Sequence, residues 1–300
     1  MDTNYEVIII GGSYAGLSAA MSLGRSLRKV LIIDSGEPCN RFTPHSHNFI
    51  TQDGETPAAI AAKAKEQVLK YPSVQFLNDR VTDAKQVDDG FIVSTQNSRT
   101  FTAKKILLTT GIIDIMPDIG GFAECWGISV IHCPYCHGYE AKEQKTAVFA
   151  NGEAAIHYAK LLRQLTNDIT FFTNGPAEFD EVTIAKLKEY KMPIIEGKVS
   201  KLKQENGQVR QIIMESGDSY DFPVIYYRPQ NKQHTDILQK MGCSLNEMGY
   251  IVVSEMQLTT VPGVYAAGDN TTPMRSVSTA VASGMKAGAA INFELAAESF

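Results

Sequence analysis

Val7-Ile8-Ile9-Ile10 is an unbroken apolar run, the pattern of a strand covered on both faces. It runs into Gly11-Gly12-Ser13-Tyr14-Ala15-Gly16, then a small-residue segment from Leu17 to Leu23, then a second apolar run, Val30-Leu31-Ile32-Ile33, that ends at Asp34. Strand, glycine-rich turn, helix and a second strand closed by an acid make a βαβ unit of the kind that holds a dinucleotide. Small residues let the backbone approach a pyrophosphate at a helix N-terminus, and the carboxylate meets a ribose hydroxyl. Ser13 stands where the pattern has its middle glycine and slightly crowds that approach. The turn alone would also fit a tight turn with no ligand; the flanking strands and Asp34 favour the ligand.

A second opening of this kind lies near the middle of the chain, with a strand over Thr146–Ala150, a helix over Glu153–Leu165 and a strand over Ile169–Phe172. Between the two, the pattern predicts a helix over Pro57–Tyr71, short strands at Val74–Leu77, Arg80–Val87 and Phe91–Ser94, and a buried strand ending at Thr109-Thr110-Gly111. Strand character returns at Gly249–Val253 and Val264–Asp269, and an alanine-rich helix follows over Val277–Ala297. The simplest architecture is α/β, with two Rossmann-like domains of three ββα layers, the second inserted in the first. Residues 1–114 and 245–300 would form the outer domain and residues 115–244 the inserted one.

With 44% hydrophobic residues, 20% charged residues and a net charge of −5, the chain has no electrostatic footprint for nucleic acid or an anionic membrane. No apolar run approaches the roughly 20 residues of a membrane helix. The N-terminal residues lack the basic start of a signal peptide, so a cytoplasmic location is expected. Five cysteines in a reducing compartment argue against a structural disulfide framework. One redox pair and three other thiols fit better.

That pair lies in His132-Cys133-Pro134-Tyr135-Cys136-His137-Gly138-Tyr139-Glu140. Two cysteines at this spacing can close a small disulfide and reopen it, and one thiol has its pKa lowered for exchange. By itself the string also fits glutaredoxin (Cys-Pro-Tyr-Cys), c-type haem attachment (Cys-x-x-Cys-His) or a zinc site with Cys125. A glutaredoxin motif follows the first strand of a short domain, haem attachment needs export, and zinc usually takes a second Cys-x-x-Cys. His132 fits plain packing.

In this order the motifs resemble those of the low-molecular-weight thioredoxin reductase family of flavoproteins, over essentially the whole chain. The resemblance implies an FAD site in which Gly11, Gly12, Ser13, Ala15 and Gly16 face the pyrophosphate and Asp34 the ribose. Gly111 falls in the family's central turn, and Gly268 and Asp269 in the C-terminal motif whose acid binds the ribityl chain. Arg41 and His47 are further candidates near the pyrophosphate and flavin. The inserted domain carries Cys133 and Cys136, with Cys136 facing the flavin and Cys133 exchanging with substrate. The family also implies a homodimer.

Three departures shape the functional expectation. Ala150-Asn151-Gly152-Glu153-Ala154-Ala155 lacks the first glycine of the family's NADPH turn. The strand Ile169–Phe172 is followed by Thr173-Asn174-Gly175-Pro176, with no arginine to grip a 2′-phosphate. His137 replaces the aspartate that commonly follows the second cysteine, and gives Cys-Pro-x-Cys-His-Gly, which resembles the dithiol oxidase branch that acts on gliotoxin- and holomycin-type dithiols. The reading is an FAD-dependent thiol-disulfide oxidoreductase with catalytic Cys133, Cys136 and His137, no metal and doubtful NADPH use. Its partner would be a small dithiol or disulfide, or a thioredoxin-like protein. The alternatives are an NADPH-dependent thioredoxin-disulfide reductase and a non-catalytic flavoprotein.

Overall fold

The fold is seen in a computed structural model that describes residues 3–300. The chain forms two compact units. The first comprises the chain up to Arg41, with Pro57–Ile113 and Asn231–Phe300; the second comprises Phe42–Thr56 and Asp114–Gln230.

In the first unit Asn4–Ile10 is one of the two middle strands of a seven-stranded sheet, and Val7, Ile8 and Ile9 are wholly buried. It pairs in parallel with Val30–Asp34 on one side and Thr100–Leu108 on the other, so Ile8 lies between Leu31 and Ile106. Two-sided burial is what an unbroken β-branched run requires. Val74–Asn78 extends one edge, Gly90–Thr95 and Val81–Val87 fold back antiparallel on the other, and Val264–Ala266 also pairs with Thr100–Leu108.

The first helix, Tyr14–Arg25, lies against the last, Val277–Ser299. Two glycines allow the close approach: a Cβ at Gly284 would stand 2.1 Å from the Ala15 carbonyl oxygen, and one at Gly288 would stand 2.7 Å from that of Ala19. Lys105, inside the sheet, is neutralised by Glu294 and Glu298 of the last helix, and Tyr265 donates to Glu294.

The second unit is built on a parallel sheet of five strands, in the order Ile194–Ile195, Ile169–Phe172, Thr146–Phe149, Val224–Tyr227 and Val130–Ile131. Phe149, Phe172 and Ile225 pack with Val199, Leu202, Val209 and Ile212 of a three-stranded antiparallel sheet. On the opposite face, Val148 and Phe171 pack with Tyr158, Leu162 and Leu187 of the helices Gly152–Leu162 and Glu181–Glu189. This is the three-layer ββα arrangement, and the fold class is α/β as expected.

Some local expectations differ from the structure. Gly249–Val253 is not a strand, although Ile251 bridges Leu245. Asn246 Oδ1 accepts from the amides of Met248 and Tyr250, which folds this stretch into a turn. The unit boundaries also fall elsewhere: residues 231–244 group with the first unit, where Ile237 and Leu238 enter its core, and Phe42–Thr56 groups with the second.

Candidate active site

In the first unit the glycine turn closes as tightly as its composition suggests. A Cβ on Gly11 (φ +110°) would come within 2.2 Å of the Thr109 carbonyl oxygen, and one on Gly16 within 2.0 Å of the Gly11 carbonyl oxygen. Ser13 sits at φ −89°, which any residue adopts, so serine replaces glycine here without backbone strain. It occupies the helix N-cap, yet its side chain makes no capping bond. Asp34 accepts from Gly12 N at 2.6 Å and Gly36 N at 2.8 Å, which pins the turn to the end of the second strand.

Gly268 (φ +90°) brings the C-terminal motif against the same turn, since a Cβ there would stand 3.1 Å from the Ala15 Cβ. Asp269 Oδ2 lies 3.8 Å from Arg275 Nε. Gly111 (φ +66°) has open space where a Cβ would be. The motifs at Gly11–Gly16, Asp34 and Gly268–Asp269 thus meet in one place, and the narrow clearances fit the close backbone approach that FAD needs. Arg41 donates to the Pro38 carbonyl at 3.0 Å.

Two supporting residues were not foreseen. Thr109 Oγ1 donates to the Gly11 carbonyl at 2.6 Å and backs the turn from below. Asn270, fully buried, donates to the Leu108 carbonyl at 2.9 Å, while its own Oδ1 is buried with no partner. Thr109 opens the Thr109-Thr110-Gly111 turn and Asn270 follows Gly268-Asp269, but only Gly111, Gly268 and Asp269 of these were expected at the site.

In the second unit Cys133 and Cys136 form a disulfide with a Cα–Cα distance of 5.2 Å. Pro134–His137 makes a single helical turn capped by Cys133, whose Sγ accepts from Cys136 N at 3.1 Å. That amide stabilises negative charge on Cys133 when the bond opens. Tyr135, between the cysteines, is 70% exposed, while Cys133 and Cys136 are half-buried. Burial pushes the pKa of His137 below the ordinary histidine value; nearby His47 adds to the lowering and Glu140 opposes it. His137 is therefore neutral at neutral pH and can accept a proton.

His47 belongs to this second unit, with Nδ1 3.7 Å from Asp53 and Nε2 3.6 Å from Glu140. His132 stacks on Trp126, as a packing residue would. Cys125 and Cys243 are buried thiols whose pKa values burial raises. Among the described residues no group of three His, Cys, Asp or Glu side chains is arranged to hold a metal. No helix among them is long and apolar enough to cross a membrane.

The second glycine turn is closed differently from the first. Asn151 caps the helix Gly152–Leu162 by accepting from Gly152 N at 3.0 Å. The same oxygen accepts from Glu178 N at 2.9 Å, and Asn151 Nδ2 donates to the Pro176 carbonyl at 2.9 Å. The Glu178 carboxylate lies 3.7 Å from where a Gly152 Cβ would stand. Of the two arginines between residues 142 and 227, Arg163 stacks on Tyr190 and Arg210 pairs with Glu205.

The pyridine nucleotide-disulphide oxidoreductase family matches residues 5–284. The thioredoxin reductase sirT of Leptosphaeria maculans is 31% identical over 97% of this chain and 94% of its own length. A solved oxidoreductase from Agrobacterium tumefaciens is 39% identical, with a TM-score of 0.91 over 98% of this chain and 99% of its own. The crystal structure of HlmI aligns at 31% identity with a TM-score of 0.92, over 100% of this chain and 95% of its own.

Proposed function

The chain belongs to the pyridine nucleotide-disulphide oxidoreductase family and is a flavin-dependent disulfide oxidoreductase; from that premise we propose that it oxidises a small dithiol to a disulfide and uses NADPH poorly. The observation that carries this reading is the self-filled second turn. NADPH needs its pyrophosphate at the start of Gly152–Leu162 and cations for its 2′-phosphate. Here the Asn151 amide takes up the first amide of that helix, and the Glu178 carboxylate lies beside it. Anion would meet anion.

The chemistry follows from the second unit. A substrate thiol gives its proton to the neutral imidazole of His137, and the thiolate attacks Cys133 Sγ. The Cys133–Cys136 bond breaks and Cys136 leaves as a thiolate. The second substrate thiol gives its proton to the Cys136 thiolate, attacks the substrate sulfur of the mixed disulfide and releases Cys133, whose charge the Cys136 amide stabilises. Substrate departs as a disulfide, and two electrons remain on the protein as a dithiol. FAD, when bound, supplies the two-electron acceptor for that dithiol, and oxygen can restore it. General base catalysis by His137 contributes about 10²–10⁴-fold.

The name of the sirT relative, thioredoxin reductase, favours a second reading in which NADPH is the donor and a thioredoxin the acceptor. One anaerobic experiment separates the two: oxidised holoenzyme is mixed with dithiothreitol, NADPH or NADH, and the visible flavin band is followed. Bleaching by dithiol, with recovery in air, is expected. Rapid bleaching by micromolar NADPH would refute the oxidase reading.

A further inference from the structure

The loop Phe42–Thr56 precedes the disulfide motif widely in sequence, yet it belongs to the same compact unit. It is closed by its own backbone: Ser46 N donates to the Glu55 carbonyl at 2.8 Å, and Gly54 N to the Ser46 carbonyl at 2.9 Å. Asp53 Oδ1 accepts from Asn48 N at 2.7 Å, which fixes the carboxylate beside His47. The His47 side chain is only 19% exposed, and its two ring nitrogens face two carboxylates, Asp53 at 3.7 Å and Glu140 at 3.6 Å. Glu140 lies one turn beyond His137, so loop and redox motif share one cluster of ionisable groups.

We propose that His47 is a positioning residue for the dithiol reaction, holding Glu140 beside the motif and setting the charge around the His137 imidazole. The inference rests on the proton-accepting role given to His137 above. His47 disfavours a proton on His137. Glu140 pulls the other way. Other ionisable neighbours are Asp53; His45, whose ring lies 6.5 Å from that of His47 and is held by the Gly54 carbonyl; Tyr226, a phenol kept neutral by burial with Tyr158 and Glu140 adding to that effect; and Lys142, whose ammonium is favoured by Tyr139 first, then by Glu143 and Glu140. In the step that opens the disulfide, the proton travels from the first substrate thiol to His137. His47 neither gains nor loses a bond; it fixes the field in which that transfer occurs.

The test compares wild-type holoenzyme with His47→Gln and Glu140→Gln. The first readout is the anaerobic rate of flavin bleaching by dithiothreitol from pH 5 to 9, and the second is the His137 ring titration followed by NMR. His47→Gln should keep the disulfide and raise the apparent ionisation of His137. Bleaching at pH 6 should then fall about threefold, with little change at pH 8. Glu140→Gln should move the ionisation the opposite way. An unshifted His137 titration in both variants would overturn the proposal, as would a fall in rate that is the same at every pH. The NMR titration needs no substrate, so it still reads the cluster if dithiothreitol fails to bleach the wild-type enzyme and the oxidase reading falls.

Discussion

Asp34→Ala probes the nucleotide cradle most directly, because one side chain holds both the turn and the expected ribose. Its carboxylate accepts from Gly12 N at 2.6 Å and from Gly36 N at 2.8 Å. Gly36 is exposed, so its amide regains water at little cost. Gly12 is enclosed by Phe76 and Asp34 itself, and an unmet amide there costs about 2 kcal/mol. At 1.4 kcal/mol per tenfold, the loosened turn alone weakens FAD binding about thirtyfold. Loss of the ribose hydroxyl bond adds about 1.5 kcal/mol, which makes the whole effect about 300-fold. The assay is titration of apoprotein with FAD, followed by quenching of flavin fluorescence. Asp34→Asn keeps an acceptor for Gly12 and should recover about half of the lost free energy. A dissociation constant unchanged in Asp34→Ala would refute both the ribose assignment and the role of the carboxylate in closing the turn.

Cys133→Ser and Cys136→Ser should each abolish bleaching by dithiol while the protein stays yellow; full turnover in Cys133→Ser, measured by oxygen uptake, would rule out the disulfide mechanism. Because burial and His47 hold the His137 pKa below its ordinary value, the neutral base predominates at neutral pH. The dithiol rate should therefore rise with pH through that lowered pKa and be lost below it, and in His137→Gln the rate should fall about 10²–10⁴-fold and lose this limb. Gly284→Ala places a Cβ 2.1 Å from the Ala15 carbonyl, so the last helix must shift away from the turn. Calorimetry should show a fall in Tm of about 5–10 °C, together with faster loss of FAD.

Where side-chain periodicity decides structure, the sequence was readable. The β-branched run at Val7–Ile10 could only be a strand buried on both faces, and Ile169–Phe172 falls at its expected bounds. The close approach at Gly11 and Gly16 follows from the same logic. Gly249–Val253 misled because the unbroken apolar run Tyr250-Ile251-Val252-Val253 imitates a strand, while the Asn246 side chain dictates a turn. His47 posed a harder problem. Phe42–Thr56 has no period, and its place in the second unit rests on contacts distant in sequence, Glu140 beside His47 and Phe42 beside Gly127. Asn151 was noticed as part of a missing glycine pattern, but its double duty toward Gly152 and Glu178 depends on a loop more than twenty residues away.

The divided origin of the second unit limits how this protein can be taken apart and recombined. A chimera made by transplanting residues 114–230 into a related scaffold would carry the disulfide and His137 but leave Phe42–Thr56 behind. The graft would inherit whatever loop the host supplies, with or without a histidine for Glu140. A faithful exchange of the redox module takes two inserts and four junctions, so single-crossover recombination between relatives would tend to separate the cysteines from His47.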